Sequence, residues 1–446
     1  MQRALPTFSR RANAYVRQYS TQWRSFSAMN PAVMTNDLTS ITIQVDNNPG
    51  SLRPVLEMFA KHQVNLTHIT SQPSKIIEPN QDFSISIDFQ GKPGVAAVDN
   101  LLLELEAHCA SLKVAEEKAV PWFPLHISDL NISARHTLQA GTDIDADHPG
   151  FNDLEYRARR NELSDIAANY NQGQPLPHIN YSDLETQTWG AVYNNIKDTW
   201  AKYACDEFNT ALPMLERECG YSPTNIPQAQ DISNFLKSRT GFVIHPVTGY
   251  LSPRDFLNGL AFRVFFCTQY IRHHSQPLYT PEPDICHELM GHVPMFADQD
   301  FADFSHEIGL ASLGVSDEEI ERLAACYIFS VEFGIYMQNG EKKAFGAGML
   351  SSFGELEYAC SPVRPAGGTM DWPEYRPWDP FHACKQKYPV TTYQPVYYVA
   401  ESLSHAKEKM REFTREMKKP FHATYNPTTQ TISVDRAITI KEREQK

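Results

Sequence analysis

Alternation of hydrophobic and polar residues defines the first part of the chain. Period-two alternation over four to eight residues predicts strands that bury one face, and longer periods predict helices between them. The predicted strands cover residues 39–45, 64–69, 83–89 and 112–114, and the predicted helices run through Phe59 and from about Val95 to Cys109. This order of elements is that of a ferredoxin-like βαββαβ sandwich.

Helical periodicity dominates the longer remainder of the chain. Residues 121–153 are rich in Pro and Asp without a long period, which predicts a linker and lead-in. Helical patterns then continue to about Lys418, and the turn Asn426–Pro427 predicts a terminal hairpin. The predicted fold class is α+β. Its predicted parts are an N-terminal stretch 1–36, the sandwich domain 37–118, a mostly α-helical domain 119–420, and the hairpin with a short tail 421–446.

A carboxylate interrupts the hydrophobic stripe of one predicted helix. Ser316-Asp317-Glu318-Glu319 is typical of a capping box at its start. The hydrophobic stripe that follows consists of Ile320, Leu323, Ala324, Tyr327, Ile328, Val331 and Ile335. Glu332 lies within this stripe, where an unpaired carboxylate would cost several kcal/mol. We therefore expect a cation beside it, either a metal ion or a buried Arg or Lys side chain.

Two histidines, His287 and His292, are candidates for ligands of such a metal. Zinc proteases place two histidines at i and i+4, whereas positions five apart are about 140° from each other on an ideal α-helix. A π-type turn, or a helix end near Gly291 and Pro294, would bring the two rings together. Two imidazoles and one carboxylate can hold Fe(II) and leave part of its coordination open. The pattern indicates an oxygen-activating iron site, and a zinc hydrolase with Glu288 as general base is the alternative from another class.

Composition argues against several classes of protein. The formal net charge of -13 disfavours a nucleic-acid partner, and no apolar stretch is long enough to predict a membrane span. The eight cysteines are scattered without a Cys-x-x-Cys pair, which is typical of reduced thiols rather than a disulfide framework.

The first 36 residues contain several arginines and no acid before Asp37. This composition predicts a mitochondrial targeting segment. Translation starting at Met29 or Met34 would instead leave the protein in the cytoplasm.

Beyond these features, the chain from about Thr39 to Val434 resembles the aromatic amino acid hydroxylases. The matching segments are Pro121–Pro124, Asp145–Phe151, Tyr156–Arg160, Arg254–Leu257, Tyr270–His273, Ser351–Glu355 and Gln394–Ser402, together with the metal set above. The resemblance implies a monooxygenase with a mononuclear Fe(II), a tetrahydrobiopterin or related reduced pterin, and O₂ as co-substrate. Its substrate would be a free aromatic amino acid.

The resemblance also implies roles for individual residues. His287, His292 and Glu332 become the iron ligands, and Glu288 becomes a carboxylate that faces the pterin edge. The implied pterin pocket is completed by Gly249, Leu251, Phe256, Ala324 and Tyr327. The implied amino-acid site consists of Arg272 as the clamp on the substrate carboxylate, with Thr280, Pro283, Gly348, Ser351, Glu355 and Val390.

Several positions depart from the family pattern. Val390 occupies a place where tyrosine-specific members carry an aspartate, which favours phenylalanine and its conversion to tyrosine. Ile328 stands where the family's pocket usually has an aromatic residue, and Phe266 stands where phenylalanine-specific members often have a histidine. Tryptophan or broad specificity is therefore the alternative. Residues 361–388 are several residues longer than expected and are interpreted as a loop beside the pocket, either a lid or a tolerated insertion. Only residues 435–446 follow Val434, too few for the family's tetramer helix, which predicts a homodimer or monomer.

The N-terminal sandwich resembles the ACT domains, which bind amino acids in regulatory proteins. The matching segments are Pro49–Leu52 and Val64–Ser74. The resemblance implies a regulatory site that includes Gly50, Ser51, Leu52 and Ile69. The alternatives are a dimerisation module that binds nothing and, for the whole chain, a catalytically inactive amino-acid sensor.

Overall fold

The structure is a computed structural model that describes residues 38–46, 48–73, 83–114, 119–136, 144, 148–280, 282–389, 392–436 and 438–443. The predicted targeting segment, residues 1–36, lies outside the described residues. The chain divides into two compact units. The first contains Met1–Val120 with Val434–Lys441, and the second contains Pro121–Ser433 with Glu442–Lys446. The assignment of residues 37–118 and 119–420 as functional domains stays a prediction.

The first unit contains the predicted βαββαβ order. Its sheet has the strand order β2-β3-β1-β4, with β1 antiparallel to both of its neighbours. The elements are β1 (Leu38–Val45), α1 (Leu52–Lys61), β2 (Leu66–Pro73), β3 (Phe83–Gln90), α2 (Ala96–His108) and β4 (Ser111–Val114). The second strand begins at Leu66 rather than at Val64, whose buried side chain lies in the connection before the strand.

Alternation along the central strands explains how this unit buries its core. Ile41 and Ile43 on β1 pair with Ile87 and Ile85 on β3, and all four side chains are buried. The alternation in β3 predicts that its polar side chains face solvent, and this prediction is wrong at Asp88. The Asp88 side chain is buried and accepts a 2.5 Å hydrogen bond from Ser40 Oγ. Burial raises the pKa of Asp88. The first unit also contains a short parallel pair, β5 (Ala119–Val120) with β14 (Thr439–Ile440), which no sequence pattern indicated.

Helices predominate over strands in the second unit, as predicted. They are α3 (Leu130–Ala134), α4 (Leu154–Ala168), α5 (Asp183–Tyr203), α6 (Asp206–Cys219), α7 (Ala229–Arg239), α8 (Pro253–Leu260), α9 (Val293–Phe296), α10 (Gln299–Ser312), α11 (Asp317–Tyr327), α12 (Ala347–Leu350), α13 (Phe353–Cys360), α14 (Pro380–Ala383) and α15 (Leu403–Glu416). One hydrophobic cluster extends through most of these helices, and Trp189 and Trp200 are among its largest fully buried side chains. No described helix is long and apolar enough to cross a membrane.

Short strands complete the second unit. They are β6 (Val243–Pro246), β7 (Val264–Cys267), β8 (Ile335–Gln338), β9 (Glu341–Ala344), β10 (Glu374–Pro377), β11 (Val396–Ala400), β12 (Ala423–Asn426) and β13 (Thr431–Val434). The last two pair with each other, so the predicted terminal hairpin is confirmed. The segment predicted as a linker contains a 3₁₀ turn at Ile127–Asp129 and helix α3.

Candidate metal, cofactor and substrate site

The two candidate histidine ligands lie at the ends of one π-helical turn, His287–His292. Because a π-helix closes its hydrogen bonds between residues five apart, side chains at i and i+5 share a face. The Nε2 atoms of the two rings are 3.1 Å apart. The predicted π-type turn is therefore confirmed. The predicted helix end near Pro294 is wrong, because helix α9 continues to Phe296 with Pro294 in its first turn, where a missing N–H costs no hydrogen bond.

A second π-helical turn, Ile328–Glu332, places the candidate carboxylate beside these rings. Glu332 Oε1 is 3.1 Å from His292 Nε2, and Oε2 is 3.5 Å from His287 Nε2. The predicted unbroken helix to Ile335 is wrong, because the α-helix ends at Tyr327 and Ile335 begins β8. The predicted capping box is also wrong, because the Ser316 side chain makes no capping hydrogen bond.

Neighbouring groups fix the orientation of both rings. His287 Nδ1 lies 2.9 Å from Ser351 Oγ, and its backbone N–H donates to Asp284 Oδ1 over 3.1 Å. The His292 ring packs against Phe265, with ring centroids 4.9 Å apart. Gly291 completes the packing, because a Cβ there would come within 2.6 Å of the Ala347 carbonyl oxygen. The ligand atoms are thus held by contacts on several elements.

Burial and mutual charge set the protonation of this cluster. Burial lowers the pKa of His287 to about 4, so its imidazole is neutral near pH 7. Burial would also lower the pKa of His292, but the adjacent Glu332 carboxylate raises it on balance. Burial opposes ionisation of Glu332, yet the two histidines hold its pKa below the usual value. The cluster therefore offers a charged carboxylate oxygen and at least one free imidazole lone pair to a cation.

All six residues expected to bind the pterin line one cavity beside this cluster. Phe256 stands edge-on to Tyr327, with ring centroids 5.2 Å apart. Within the described part of the chain, the hydroxyls of Tyr327 and Tyr270 have no hydrogen-bond partner, although both line this cavity. Such unpartnered buried donors fit a ligand with polar edges. The six residues are Gly249, Leu251, Phe256, Glu288, Ala324 and Tyr327.

Glu288 is held at the inner wall of the same cavity. Its Oε1 accepts hydrogen bonds from the backbone N–H of Thr268 over 3.0 Å and from the Thr268 hydroxyl over 3.1 Å. Burial raises the pKa of Glu288 to about 7. The carboxyl group can therefore exchange a proton near neutral pH with a group bound in the cavity.

The described residues expected to bind the amino acid line a second, adjacent cavity. They are Arg272, Thr280, Pro283, Gly348, Ser351 and Glu355. Val390 lies outside the described residues. Both cavities are lined by His287 and Glu332, so they meet at the candidate metal cluster.

Arg272 does not stand free in this cavity. Its Nε and Nη2 atoms donate to Asp284 Oδ2 and Oδ1 over 2.9 and 2.8 Å, and both side chains are buried. This bidentate pair occupies the edge of the guanidinium that was expected to clamp a carboxylate. Nη1 donates to the Pro277 carbonyl over 3.3 Å. A substrate carboxylate therefore has to use the remaining Nη hydrogens.

Glu355 is a buried acceptor at the far side of the second cavity. Its Oε1 accepts from the Gln394 backbone N–H over 3.0 Å and from the Tyr397 hydroxyl over 2.7 Å. Burial outweighs these hydrogen bonds and raises the pKa of Glu355 to about 7.

We expect Glu355 to make stability depend on pH. Its pKa is higher in the folded protein than the usual 4.5, so the folded state binds more protons between these values. The stabilisation is present below about pH 4.5 and is lost as the pH rises through about 7, a change of about 3 kcal/mol. Glu355→Gln should flatten this dependence. Denaturant unfolding from pH 4.5 to 8.5 measures it, with Glu357→Gln on the same helix as control, and equal slopes for Glu355→Gln and the parent would contradict the expectation.

Several residues of the site were missed from sequence. Tyr250 and Tyr388 line both cavities, and Thr268 anchors Glu288. Asp284 holds Arg272, and its place three residues before His287 was a signal for that role. The prediction that residues 361–388 are a loop is partly wrong, because they contain β10 and α14. Tyr388 at the end of this segment contributes to the cavity wall. The other missed residues belong to no periodic pattern or motif that could have identified them from the sequence.

The residues expected to form a regulatory site lie in the first unit. Gly50 has φ +93°, a conformation that favours glycine, and Ser51 Oγ donates to the Asn48 carbonyl over 2.9 Å. Leu52 begins helix α1, and Ile69 is exposed on the edge strand β2. Their role stays a prediction.

A family model for biopterin-dependent aromatic amino acid hydroxylases matches residues 121–445. The chain therefore belongs to this family, whose members are enzymes. Among curated relatives, a phenylalanine-4-hydroxylase of Dictyostelium discoideum is 49% identical over 86% of this chain and 86% of its own length. One of Homo sapiens is 48% identical over 90% of this chain and 87% of its own. Its relatives also include a tryptophan 5-hydroxylase of Xenopus laevis, 46% identical over 89% of this chain and 82% of its own.

A solved structure supports the same grouping. The phenylalanine hydroxylase of Chromobacterium violaceum, with bound iron(III) and 7,8-dihydrobiopterin, aligns with a TM-score of 0.50 and 25% identity. The alignment covers 57% of this chain and 90% of that chain.

Proposed function

We propose that the protein hydroxylates L-phenylalanine to L-tyrosine, with O₂ and a tetrahydropterin, at a mononuclear non-haem Fe(II) site. The main supporting observation is that His287, His292 and Glu332 meet where two cavities join. The high identity to relatives named phenylalanine-4-hydroxylase supports the substrate. When bound, the iron and the reduced pterin supply the activation of O₂ and the two electrons that the hydroxylation consumes.

Three residues of this chain would hold the iron. His287 and His292 offer Nε2 lone pairs, Glu332 offers a carboxylate oxygen, and these ligand atoms lie within 4.8 Å of one another. Two imidazoles and a carboxylate form a ligand set suited to non-haem Fe(II). The Ser351 hydroxyl, 2.9 Å from His287 Nδ1, fixes the ring so that Nε2 points into the cluster. The donor set therefore fits this ion.

The first cavity would hold the pterin. Phe256 offers an aromatic face to a flat ring, and the unpartnered Tyr327 and Tyr270 hydroxyls can bond to its polar edge. Glu288, with its pKa near 7, can share a proton with a ring nitrogen. Most of the residues that line the cavity are apolar or aromatic, which disfavours water around the reacting groups.

The second cavity would hold the amino acid with its ring toward the metal cluster. Arg272, kept in place by Asp284, offers its remaining Nη hydrogens to the substrate carboxylate. Ile328 and Pro283 line both cavities and give the ring apolar surroundings. This arrangement positions the substrate ring between the carboxylate clamp and the metal ligands.

Tryptophan hydroxylation is the second candidate. The relative named tryptophan 5-hydroxylase and the presence of Ile328 and Phe266 at the first cavity favour it. A zinc hydrolase with Glu288 as base would act without O₂, and an inactive sensor would bind amino acids without turnover.

One assay separates these functions. The purified protein receives ferrous iron, a tetrahydropterin and oxygen, with phenylalanine, tyrosine and tryptophan in competition. We expect tyrosine to be the main product, and replacement of Fe(II) by Zn²⁺ or removal of O₂ to abolish it. Preferential consumption of tryptophan would overturn the substrate but retain the chemistry. Absence of product from an iron-loaded protein would support the sensor.

We also propose that the first unit is an ACT-type regulatory module that binds phenylalanine near Gly50, Ser51, Leu52 and Ile69. Its strand order β2-β3-β1-β4 and antiparallel pairing support this assignment. Equilibrium dialysis tests it, because a regulatory site and a catalytic site together should bind two phenylalanine molecules per chain. One molecule per chain would contradict the regulatory site.

A further inference from the structure

A second group of metal-ligating side chains lies at the start of helix α4, separate from the His287, His292 and Glu332 cluster. Asp153, His273 and His274 offer one carboxylate oxygen and two imidazole nitrogens, all within 4.8 Å of one another. We propose that these three residues bind a divalent transition-metal ion of the zinc class. Nitrogen and carboxylate ligands are the set that such ions accept.

Asp153 is already oriented as a ligand. Its Oδ1 accepts hydrogen bonds from the backbone N–H groups of Glu155 and Tyr156, each over 3.0 Å. Its Oδ2 is left to face His273 Nε2 at 3.1 Å. Two ligands that bind one zinc ion at about 2.0–2.2 Å lie at about this separation. The same spacing joins His292 Nε2 and Glu332 Oε1 in the first cluster.

His273 is fixed as firmly as Asp153. Its side chain is buried, its ring stands edge-on to Tyr156 with centroids 4.9 Å apart, and its Nδ1 lies 2.8 Å from Ser275 Oγ. A Cβ on Gly150 would come within 2.4 Å of the Tyr156 ring and 3.1 Å of the His273 ring, so glycine is required for this close packing. Without a metal, Nδ1 also accepts from the Ser275 backbone N–H over 3.3 Å, and Nε2 carries the proton that faces Asp153. Metal binding at Nε2 displaces that proton and places one on Nδ1, where the Ser275 hydroxyl can accept the hydrogen bond.

His274 provides the exposed third ligand. Its ring lies beside that of His273, with centroids 4.3 Å apart and planes inclined by 37°. Its ring nitrogens make no hydrogen bond to any described residue, so the side chain can rotate to complete the site. Exposure at His274 also gives an ion a path from solvent. A bound ion ties the segment that carries Arg272 to the start of α4.

Calorimetric titration with ZnCl₂ tests the site. The full chain carrying His287→Ala is the background, so that binding at the first cluster is disabled. We expect one bound equivalent at the new site and, after His274→Ala, an affinity at least about tenfold weaker. Asp153→Asn keeps a capping acceptor for α4 but removes the charge, and should weaken zinc binding similarly. His382→Ala is the matched control, because His382 is an exposed histidine 3.4 Å from Asp379 outside such a group.

The outcomes are distinct. Zinc should raise the unfolding temperature of the background protein and of the His382→Ala control equally, and that of the His274→Ala variant clearly less. Because His274 is exposed, its substitution should leave the zinc-free unfolding temperature unchanged. An unchanged titration in His274→Ala would overturn the proposal. Loss of zinc binding in both His274→Ala and His382→Ala would overturn it equally, since binding would then not be specific to this group.

Discussion

Replacing His287 with Ala is expected to weaken iron retention by more than about 100-fold while the chain still folds. The reason is that His287 supplies one of only three protein ligands at the proposed metal site. The two remaining groups, His292 Nε2 and Glu332 Oε1, are 3.1 Å apart and still pair with each other. The Glu332 carboxylate therefore keeps a partner, and no isolated buried charge appears that would unfold the protein.

Iron content per chain after desalting, together with the unfolding temperature of the metal-free protein, measures this expectation. His306→Ala is the control, because His306 is another histidine with little exposed surface. Its Nδ1 lies 3.0 Å from the Leu260 carbonyl oxygen, away from the metal cluster. The control should retain iron. Full iron occupancy in His287→Ala that persists after His274→Ala is added, so that the second group cannot account for the iron, would show that His287 is not a ligand.

Sequence patterns predicted the first unit well because one face of its sheet is buried. Side chains on a strand alternate between faces, so the pairing of Ile41 with Ile87 and of Ile43 with Ile85 appears in the sequence as period-two alternation. The pair β5 and β14 left no such pattern, because each strand has two residues and the strands lie far apart along the chain. Asp88 shows a further limit, since alternation cannot reveal that a polar residue is buried with a partner such as Ser40.

The ligand types of the site could be predicted from the sequence, but the geometry of the site could be predicted only in part. The i and i+5 spacing of His287 and His292 required a departure from α-helical periodicity, and the structure has one in each of the two segments that carry the cluster. The second π-turn, at Ile328–Glu332, was missed because its hydrophobic residues also fit an α-helical stripe. The contact between Thr268 and Glu288 could not be predicted from the sequence, because it depends on how the residue after β7 packs against the first π-turn.

Arg272 shows why a residue type alone does not define a role. An arginine that binds a substrate carboxylate cannot be distinguished, from the sequence alone, from an arginine that binds a protein carboxylate. The structure gives Arg272 two hydrogen bonds to Asp284, a side chain with no exposed surface. Asp284 also accepts from the backbone N–H groups of Arg272 and His287. The ion pair therefore connects the proposed substrate clamp to the first metal ligand.

Loss of this ion pair is expected to be strongly destabilising. Arg272→Met should lower the free energy of unfolding by about 3–5 kcal/mol, because the buried Asp284 carboxylate would lose its only charged hydrogen-bond partner among the described residues. In the parent protein, burial opposes ionisation of Asp284, but Arg272 holds its pKa below the usual value. Denaturant unfolding at pH 7 measures the loss. The double variant Arg272→Met/Asp284→Asn should recover most of the lost free energy of unfolding. If the double variant is as unstable as Arg272→Met, the loss arises from packing and not from the unpaired carboxylate.

Arg272→Lys separates the substrate role from the structural one. Lysine keeps a positive charge for Asp284 but has one ammonium in place of the planar fork, so it cannot hold both Asp284 oxygens and still reach into the cavity. We expect the KM for phenylalanine to rise more than about tenfold, with the KM for the pterin within about twofold of the parent. Steady-state kinetics with each substrate varied in turn measures the two constants. Equal increases in both would mean that Arg272 acts on the site as a whole through Asp284 and His287, and not as the carboxylate clamp.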